Sequence, residues 1–326
     1  MRSLDFTGTS YLALDRQPSF IRSIKEGIER YGTNFGGSRL SNSAPSLYRE
    51  AEGFFASKLG FDDTAIVSSG TLAAILVARY LKEKNYKIFV SGDLHPALKS
   101  NFEHYTPFNN AGDILATLDK GTKAALLVDS INPVTLQHPS PEELNRIRNK
   151  DNFLLVVDDS HGIGVLGEQG WGIAEGLDKR NSIVVASLAK ALALRGGIVA
   201  ANKEIINSIK QMALWGGASP PPSFYFYAFL KNQKLLEKQK AKLKEITDYA
   251  ARKNDEYGFF DYIPGFPVFI NKGKSLYREL LAENIKISAF SYPKKDDPFV
   301  ERIVLNASHL FGDIDILFET ISKIRG

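Results

Sequence analysis

The stretch Phe153-Leu-Leu-Val-Val-Asp158-Asp-Ser-His161-Gly combines a strand-like run with chemically active side chains. Its five consecutive apolar residues have the length of a strand, and their lack of alternation is typical of a parallel sheet that helices cover on both faces. Because open α/β sheets bind ligands at the carboxyl ends of such strands, Asp158 and His161 are predicted to face one crevice. The alternative is that an aspartate caps the next turn and His161 bonds to backbone.

Further apolar runs of strand length lie on both sides of this stretch, and a helical run separates the first two. The strand-like runs begin at Ala65, Lys87, Ala124, Ser182 and Gly197, and the helix is predicted over Leu72–Leu81. Alternation of buried strands with helices is the pattern of a doubly wound domain. The sequence therefore predicts an α/β fold whose large domain holds a mostly parallel sheet.

The residue composition of the chain changes after Ser219-Pro-Pro-Pro222, and we predict four segments in the sequence. These are residues 1–30, packing with the small domain; 31–222, the large ligand-binding domain; 223–256, a connecting polar helix; and 257–326, a small α+β domain. The small domain is expected to begin with a strand, followed by a helix over Ser275–Asn284, a strand over Arg302–Asn306 and a helix over Ile314–Ile324. The lysines of 223–256 are typical of a solvated helix face.

Composition and charge exclude several classes of protein. The chain has 326 residues, 44% hydrophobic and 24% charged, and its net charge of +4 is too small to indicate a nucleic-acid partner. No apolar run approaches the ~20 residues of a membrane span, and the start shows no signal-peptide pattern. Cysteine is absent, which excludes disulfides, thiolate zinc sites, iron–sulfur clusters and a cysteine nucleophile. We therefore expect a cytoplasmic protein without a metal centre.

A lysine in unusual surroundings is the second chemical feature. In Val185-Ala-Ser187-Leu-Ala-Lys190-Ala-Leu, small apolar residues surround Lys190 just past a predicted strand. A lysine in an apolar crevice has a lowered pKa and can form a Schiff base with a carbonyl group. The alternative is a lysine whose ammonium reaches solvent from the edge of the sheet.

A small turn and a histidine are the third and fourth chemical features. Ser69-Gly70-Thr71 links a predicted strand to a helix, where a close backbone approach and free amides favour a phosphate group. Serine and threonine also cap helices without binding anything, which is the alternative for this turn. His95 follows another predicted strand, where an imidazole ring can stack on a flat cofactor, although a lone histidine is more often structural.

Together these features describe the requirements of pyridoxal 5'-phosphate. The cofactor needs a lysine for an imine, an acid beside the pyridine nitrogen, a ring to stack on and a phosphate cradle. Asp158 is predicted to keep the ring nitrogen protonated. Lys190 is predicted to hold the cofactor and then to act as the general base.

Three segments resemble those of a known enzyme family. The run from Asp158 to Gly167 resembles the acid-x-x-His-Gly-x-Gly-Val-x-Gly segment of the α-oxoamine synthases, which include 8-amino-7-oxononanoate synthase and glycine C-acetyltransferase. Gly36-Gly-Ser-Arg39 and Ser187-Leu-Ala-Lys190 resemble two further motifs of that family. Segments in matching order run from about Phe6 to the last helix. The resemblance implies a pyridoxal-phosphate enzyme of fold-type I and a homodimer, because the sites of this family are built across a subunit interface.

The resemblance also implies roles for single residues. Lys190 matches the Schiff-base lysine, and Asp158 matches the partner of the pyridine nitrogen. The other matches are His161 near the cofactor's 3-hydroxyl, His95 stacked on the ring, and Ser69, Gly70, Thr71 and Ser187 at the phosphate. Arg302 matches the arginine that clamps the substrate carboxylate, for which the paired donors of a guanidinium are suited.

Several positions depart from the family, and one segment among them bears on the activity. Ser130-Ile-Asn132-Pro stands where the family has Ser-Met-Asp-Gly-Asp, and it is more like the Asn-Pro of aminotransferases, in which the asparagine contacts the 3-hydroxyl. We expect an acyltransferase that condenses an amino acid with an acyl thioester and releases CO2. The alternatives are an aminotransferase on the same fold, with Asn132 at the cofactor, and a binding protein that has lost its activity.

Overall fold

The computed structural model describes residues 3–92, 94–108, 121–147, 152–291, 295–297 and 299–326. The chain divides into two compact units. The larger is Gln17–Asn232, and the smaller combines Met1–Arg16 with Gln233–Gly326. Each unit has its own sheet and its own hydrophobic core.

The strands and helices of the described residues follow each other in this order. The strands are β1 (Leu4–Phe6), β2 (Asp63–Val67), β3 (Lys87–Ser91), β4 (Thr106–Phe108), β5 (Ala124–Asp129), β6 (Phe153–Asp158), β7 (Ser182–Ser187), β8 (Gly197–Ala201), β9 (Phe260–Tyr262), β10 (Val268–Asn271), β11 (Ile285–Ser291) and β12 (Phe299–Val304). The helices are α1 (Pro18–Tyr31), α2 (Leu47–Leu59), α3 (Gly70–Glu83), α4 (Pro96–Lys99), α5 (Pro141–Ile147), α6 (Lys203–Lys210), α7 (Ala213–Gly217), α8 (Ser223–Lys231), α9 (Gln233–Tyr257), α10 (Tyr277–Ala282) and α11 (Phe311–Arg325). Leu14–Arg16 and Ile173–Gly176 are short 3₁₀ helices.

The larger unit is built on a mixed sheet with a parallel centre. Within the described ranges, seven strands form it in the order β2-β8-β7-β6-β5-β3-β4. The pairs from β4 to β7 are parallel, whereas β8 runs antiparallel to both β7 and β2. Phe153–Val157 of β6 are buried, as expected of a central strand that is covered on both faces. The predicted α/β class with a mostly parallel sheet is confirmed.

Helix α3 covers one face of this sheet because its apolar residues recur at helical spacing. Ala73, Ala74, Leu76 and Val77 are all fully buried in the main core. The helix begins where Ser69 caps it: the Ser69 hydroxyl oxygen accepts a hydrogen bond from the Leu72 amide at 3.1 Å. Burial and capping together fix the start of α3 directly after strand β2.

Charged side chains satisfy the free backbone of edge strand β2. The Ile66 amide donates to Oε1 of Glu52 at 2.9 Å, and the Ile66 carbonyl accepts from Nη2 of Arg39 at 2.7 Å. Lys210 donates to the other Glu52 oxygen at 3.0 Å. An edge strand with unpaired backbone groups is prone to pair with other chains, so these contacts protect β2 and hold it in place.

The predicted helix over 223–256 is two helices. The chain leaves helical geometry at Asn232, where φ is −108° and ψ is 32°. The Asn232 amide group donates to the Ala228 carbonyl at 2.8 Å and to the Ser23 hydroxyl at 2.9 Å, so this side chain ends α8 through a contact with α1. Helix α8 is apolar and belongs to the larger unit, whereas the lysine-rich α9 belongs to the smaller one.

The predicted segment 1–30 is also divided. Strand β1 pairs in parallel with β11 of the smaller unit, with Leu4 opposite Ile285. Helix α1 lies in the larger unit, where Glu26 forms an ion pair with Lys231 of α8. The boundaries therefore fall after Arg16 and after Asn232.

The smaller unit is an α+β structure, as predicted. Its sheet has the order β1-β11-β12-β10-β9, and all pairs except β1–β11 are antiparallel. Its core joins this sheet to apolar residues of three helices, among them Ile246 of α9, Leu280 of α10 and Phe318 of α11. Among the described residues, no helix is long and apolar enough to cross a membrane.

We predict that Glu52→Ala lowers the free energy of unfolding of the protein by roughly 2–3 kcal/mol. The substitution leaves the Ile66 amide and the Lys210 ammonium without their acceptor. Because Lys210 is partly exposed, the loss of stability is small for a broken buried ion pair. Urea denaturation measures it. Arg49→Ala, an exposed residue of the same helix, serves as the control and is expected to change stability by less than about 0.5 kcal/mol. Equal losses in the two variants would contradict the role of Glu52.

Candidate active site

The carboxyl ends of four neighbouring parallel strands place polar side chains in one row. Asp129 ends β5, Asp158 ends β6 and Ser187 ends β7, while His95 lies four residues beyond β3. The register sets Asp129 directly opposite Asp158, and Asp158 opposite Val185. Because paired residues of parallel strands project to the same face, the two carboxylates stand side by side.

His95 is held as a neutral ring within reach of two predicted site residues. Its backbone amide donates to Oδ2 of Asp129 at 3.1 Å, and its Nδ1 accepts from the Ala97 amide at 3.1 Å. Partial burial lowers the pKa of His95; the Asp158 carboxylate opposes this shift and the Lys190 ammonium adds to it. The structure thus brings His95, Asp158 and Lys190 into one electrostatic neighbourhood.

Lys190 lies in the tight connection between β7 and β8. The Leu188 amide donates to the Gly196 carbonyl at 3.0 Å, and the Leu194 amide donates to the Leu188 carbonyl at 3.0 Å. Ala191, Leu192 and Leu194 are buried, whereas Lys190 itself is half-buried. The backbone of this loop is therefore anchored on both sides of the lysine.

The turn Ser69-Gly70-Thr71 meets the end of β7 at very close range. A Cβ atom at position 70 would lie 2.8 Å from Cβ of Ser187 and 3.0 Å from its backbone nitrogen. A Cβ atom at Gly197 would lie 2.6 Å from the Gly70 nitrogen, so only glycine fits at either position. The turn opens the 14-residue helix α3, and the first amides of a helix lack partners within it and favour an anion.

These groups fit pyridoxal phosphate. The close contact between Gly70 and Ser187 forms a cradle beside the start of α3, with two hydroxyl-bearing residues, Ser69 and Thr71, on the turn. The carboxylate, the neutral imidazole and the amine that the cofactor requires would come from Asp158, His95 and Lys190.

The remaining predicted residues are His161, Asn132 and Arg302. His161 is half-buried in the turn after β6, which the Gly162 amide closes onto the Asp159 carbonyl at 3.0 Å. Asn132 is buried beyond β5, and its amide oxygen accepts from the Val134 and Thr135 amides at 2.8 and 3.1 Å.

Arg302 belongs to the smaller unit. It is buried in β12, opposite Ile270 and Ser288, with its guanidinium carbon 5.1 Å from the ring centroid of Phe290. The role that the resemblance implies for this residue stays a prediction.

Two polar residues of the site escaped the sequence reasoning. Asp129 positions His95 through the backbone amide described above, and Ser160 connects the ends of β6 and β7. The signal for Asp129 was present, because Ala124-Ala-Leu-Leu-Val-Asp129 repeats the pattern of an apolar strand that ends in an acid. No pattern in the sequence marks Ser160, since its partners depend on the neighbouring strand.

Asp159 is a buried acid that organises the loop after β6. Its Oδ2 accepts from the Ile173 amide at 3.1 Å, and Cβ atoms at Gly162 or Gly172 would overlap its carboxyl group. Complete burial raises the pKa of Asp159 from 3.8 to about 8, with the nearby Asp158 carboxylate adding to the shift and the Ile173 amide opposing it. The side chain therefore anchors the loop largely in its neutral form at pH 7.

The chain is similar in sequence to known proteins. The sequence profile of the family described as aminotransferase class I and II matches residues 11–321. Serine palmitoyltransferase of Sphingobacterium spiritivorum is 24% identical over 99% of this chain and 86% of that relative. The 8-amino-7-oxononanoate synthase of Cupriavidus taiwanensis is 27% identical over 98% of this chain and 87% of that relative.

Solved structures share the fold. The 8-amino-7-oxononanoate synthase of Francisella tularensis superposes with a TM-score of 0.81 at 22% identity, covering 99% of this chain and 97% of that one. Serine palmitoyltransferase of Sphingomonas wittichii superposes with a TM-score of 0.85 at 18% identity, covering 99% and 87%. The predicted fold class is thus confirmed by shape as well as by topology.

We predict that Asp159→Asn removes part of the pH dependence of stability. Since the folded pKa lies above the unfolded value, the contribution of Asp159 is fully present below pH 4 and is lost as the pH rises towards 8. Asparagine cannot ionise, so the variant gains stability relative to the wild type between pH 5 and 8, by up to about 1.4 kcal/mol per pH unit. Urea denaturation of both proteins at four pH values measures this, and a constant difference would contradict it.

Proposed function

We propose, on the premise that this chain belongs to the aminotransferase class I and II family and is a pyridoxal-phosphate-dependent transferase, that it acts as an α-oxoamine synthase. Such an enzyme joins the Cα of an amino acid to the acyl group of a thioester, and CO2 and the free thiol leave. The row of Asp158, His95 and Lys190 at the carboxyl edge of the sheet carries the proposal, because it supplies the three groups that the cofactor ring requires. The curated relatives named above are enzymes of this type.

The chemistry is divided between the cofactor and the chain. Bound pyridoxal phosphate supplies a ring that accepts the electron pair left when a bond to the amino-acid Cα is broken. The Asp158 carboxylate would hold a proton on the ring nitrogen, which strengthens that acceptance. The Lys190 amine would hold the cofactor and move the proton at Cα.

Two further features suit the same ligand. His95 presents a ring whose lowered pKa keeps it uncharged, so it can lie against a flat cationic ring without repulsion. The start of α3, with the hydroxyls of Ser69 and Thr71 and the nearby Ser187, would hold the phosphate. His161, three residues beyond Asp158, would donate near the ring hydroxyl and the incoming carbonyl, as its resemblance to the family's histidine implies.

Substrate binding, assembly and location are proposed from the resemblance to the family. Arg302 would bind the amino-acid carboxylate, as its resemblance to the family's arginine implies, and its burial would strengthen that pairing. We also propose a homodimer and a cytoplasmic location, for which the support is the resemblance to enzymes of this family. The identities of the amino acid and of the acyl donor are left to experiment.

An aminotransferase is the second candidate, and Asn132 is the observation that favours it. Asn132 is buried just beyond Asp129 at the same edge of the sheet. The two activities differ in their products, since an aminotransferase releases a keto acid and retains the amino group on the cofactor.

The test is a panel of amino acids, given to the cofactor-loaded protein with and without a series of acyl thioesters. We expect one amino acid, such as glycine, alanine or serine, to release free thiol and CO2 in equal amounts only when a thioester is present. A keto acid with lasting loss of the cofactor's aldehyde form would identify an aminotransferase instead. A protein that forms neither product with any pair would be the inactive binding protein.

We predict that Asp158→Asn binds pyridoxal phosphate but slows exchange of the amino-acid Cα proton roughly 10²–10³-fold, the range for losing one preorganised charge partner. Proton NMR of the amino acid in D2O measures this exchange without any thioester. Asp129→Asn is the matched control, because it makes the same change at the register partner of Asp158 and keeps an oxygen for the His95 amide. Equal slowing in both variants, or near-wild-type exchange in Asp158→Asn, would exclude the assigned role.

A further inference from the structure

Ser160 makes two hydrogen bonds that connect separate parts of the site. Its backbone amide donates to Oδ1 of Asp158 at 3.0 Å. Its hydroxyl oxygen accepts from the backbone amide of Ser187 at 2.8 Å. One residue therefore contacts both the acid at the end of β6 and the last residue of β7.

The hydroxyl takes the place of a backbone carbonyl that is no longer available. The parallel pairing of β6 with β7 ends where the Asp159 amide donates to the Val185 carbonyl at 2.8 Å. The next acceptor along β6 would be the Asp159 carbonyl, but the Gly162 and Ile163 amides already donate to it at 3.0 and 2.9 Å. Because the chain has turned away, only the Ser160 side chain extends the pairing to Ser187.

The residue that Ser160 holds is central to the phosphate cradle. Ser187 is the residue against which Gly70 packs so closely that no side chain fits between them. It also lies three residues before Lys190, at the start of the anchored loop. A shift of the Ser187 backbone would therefore move the cradle and the lysine together, relative to Asp158.

We propose that Ser160 is a positioning residue for cofactor binding: its hydroxyl sets the spacing between Asp158 and the Ser187–Lys190 segment. This inference rests on the proposed pyridoxal-phosphate site. In this role the Ser160 hydroxyl bonds to the neighbouring strand β7 and makes no contact with the reacting atoms.

The experiment compares Ser160→Ala with Ser182→Ala. Ser182 begins the same strand β7 at its opposite end, is buried, and donates its own hydroxyl hydrogen bond to the Asp178 carbonyl at 2.7 Å. Both variants therefore lose one hydroxyl and one hydrogen bond of β7. We expect similar decreases in thermal midpoint, because both effects on folding are of the same kind.

Two readouts separate positioning from folding. Titration of the apoprotein with pyridoxal phosphate, followed by absorbance, is expected to give at least tenfold weaker binding for Ser160→Ala and less than twofold for Ser182→Ala. Hydrogen–deuterium exchange of the apoprotein is expected to speed up at the amides of 187–190 only in Ser160→Ala. Ser160→Thr, which keeps the hydroxyl, should restore binding to within threefold. If Ser160→Ala does not fold, Ser160→Cys replaces it, because a thiol of similar size is a poor acceptor.

The outcomes distinguish this inference from the function on which it rests. Equal cofactor affinity of Ser160→Ala and the wild type, or equal weakening in Ser182→Ala, would overturn the role of Ser160 while leaving the proposed function intact. If the wild type itself forms no Lys190-dependent adduct with the cofactor, the proposed function fails, and the inference fails with it.

Discussion

The parallel register of β5, β6 and β7 is the constraint on which the site depends. It sets Asp129, Asp158 and Val185 side by side at one edge of a sheet whose central strand is buried on both faces. A slip of one residue would turn the Asp158 carboxylate to the other face, away from His95 and Lys190. The hydrophobic run 153–157 thus serves function as well as stability, because its burial fixes the register that aims the acid.

Polar side chains complete the backbone pairing at several points where strands of the larger sheet end or lack a neighbour. Glu52 and Arg39 form hydrogen bonds with the backbone at the outer edge of β2. Asp129 accepts a hydrogen bond from the His95 amide, and Ser160 accepts one from the Ser187 amide. A buried amide without a partner is costly, so each contact stabilises the fold. The same contacts hold the segments that carry His95, the turn 69–71 and Lys190, so the stability of the sheet and the geometry of the candidate site have one physical origin.

Most of the fold and the candidate site could be predicted because they depend on local pattern. Unbroken apolar runs mark the strands, and strand ends locate Asp158, Ser187 and His95. The break at Asn232 could not be predicted, since it depends on a contact with Ser23 that is distant in sequence. Ser160 was missed for the same reason, because its partner lies on the next strand. The role of Arg302 is carried by resemblance alone.

The lysine to which the cofactor bonds decides whether the proposed site is correct. The protein is loaded with pyridoxal phosphate, reduced with borohydride and digested, and the modified peptide is identified by mass spectrometry. We expect one phosphopyridoxyl group per chain, on Lys190. Modification of another lysine, or a scatter over the exposed lysines of α9 with Lys190 unmodified, would contradict the site described above.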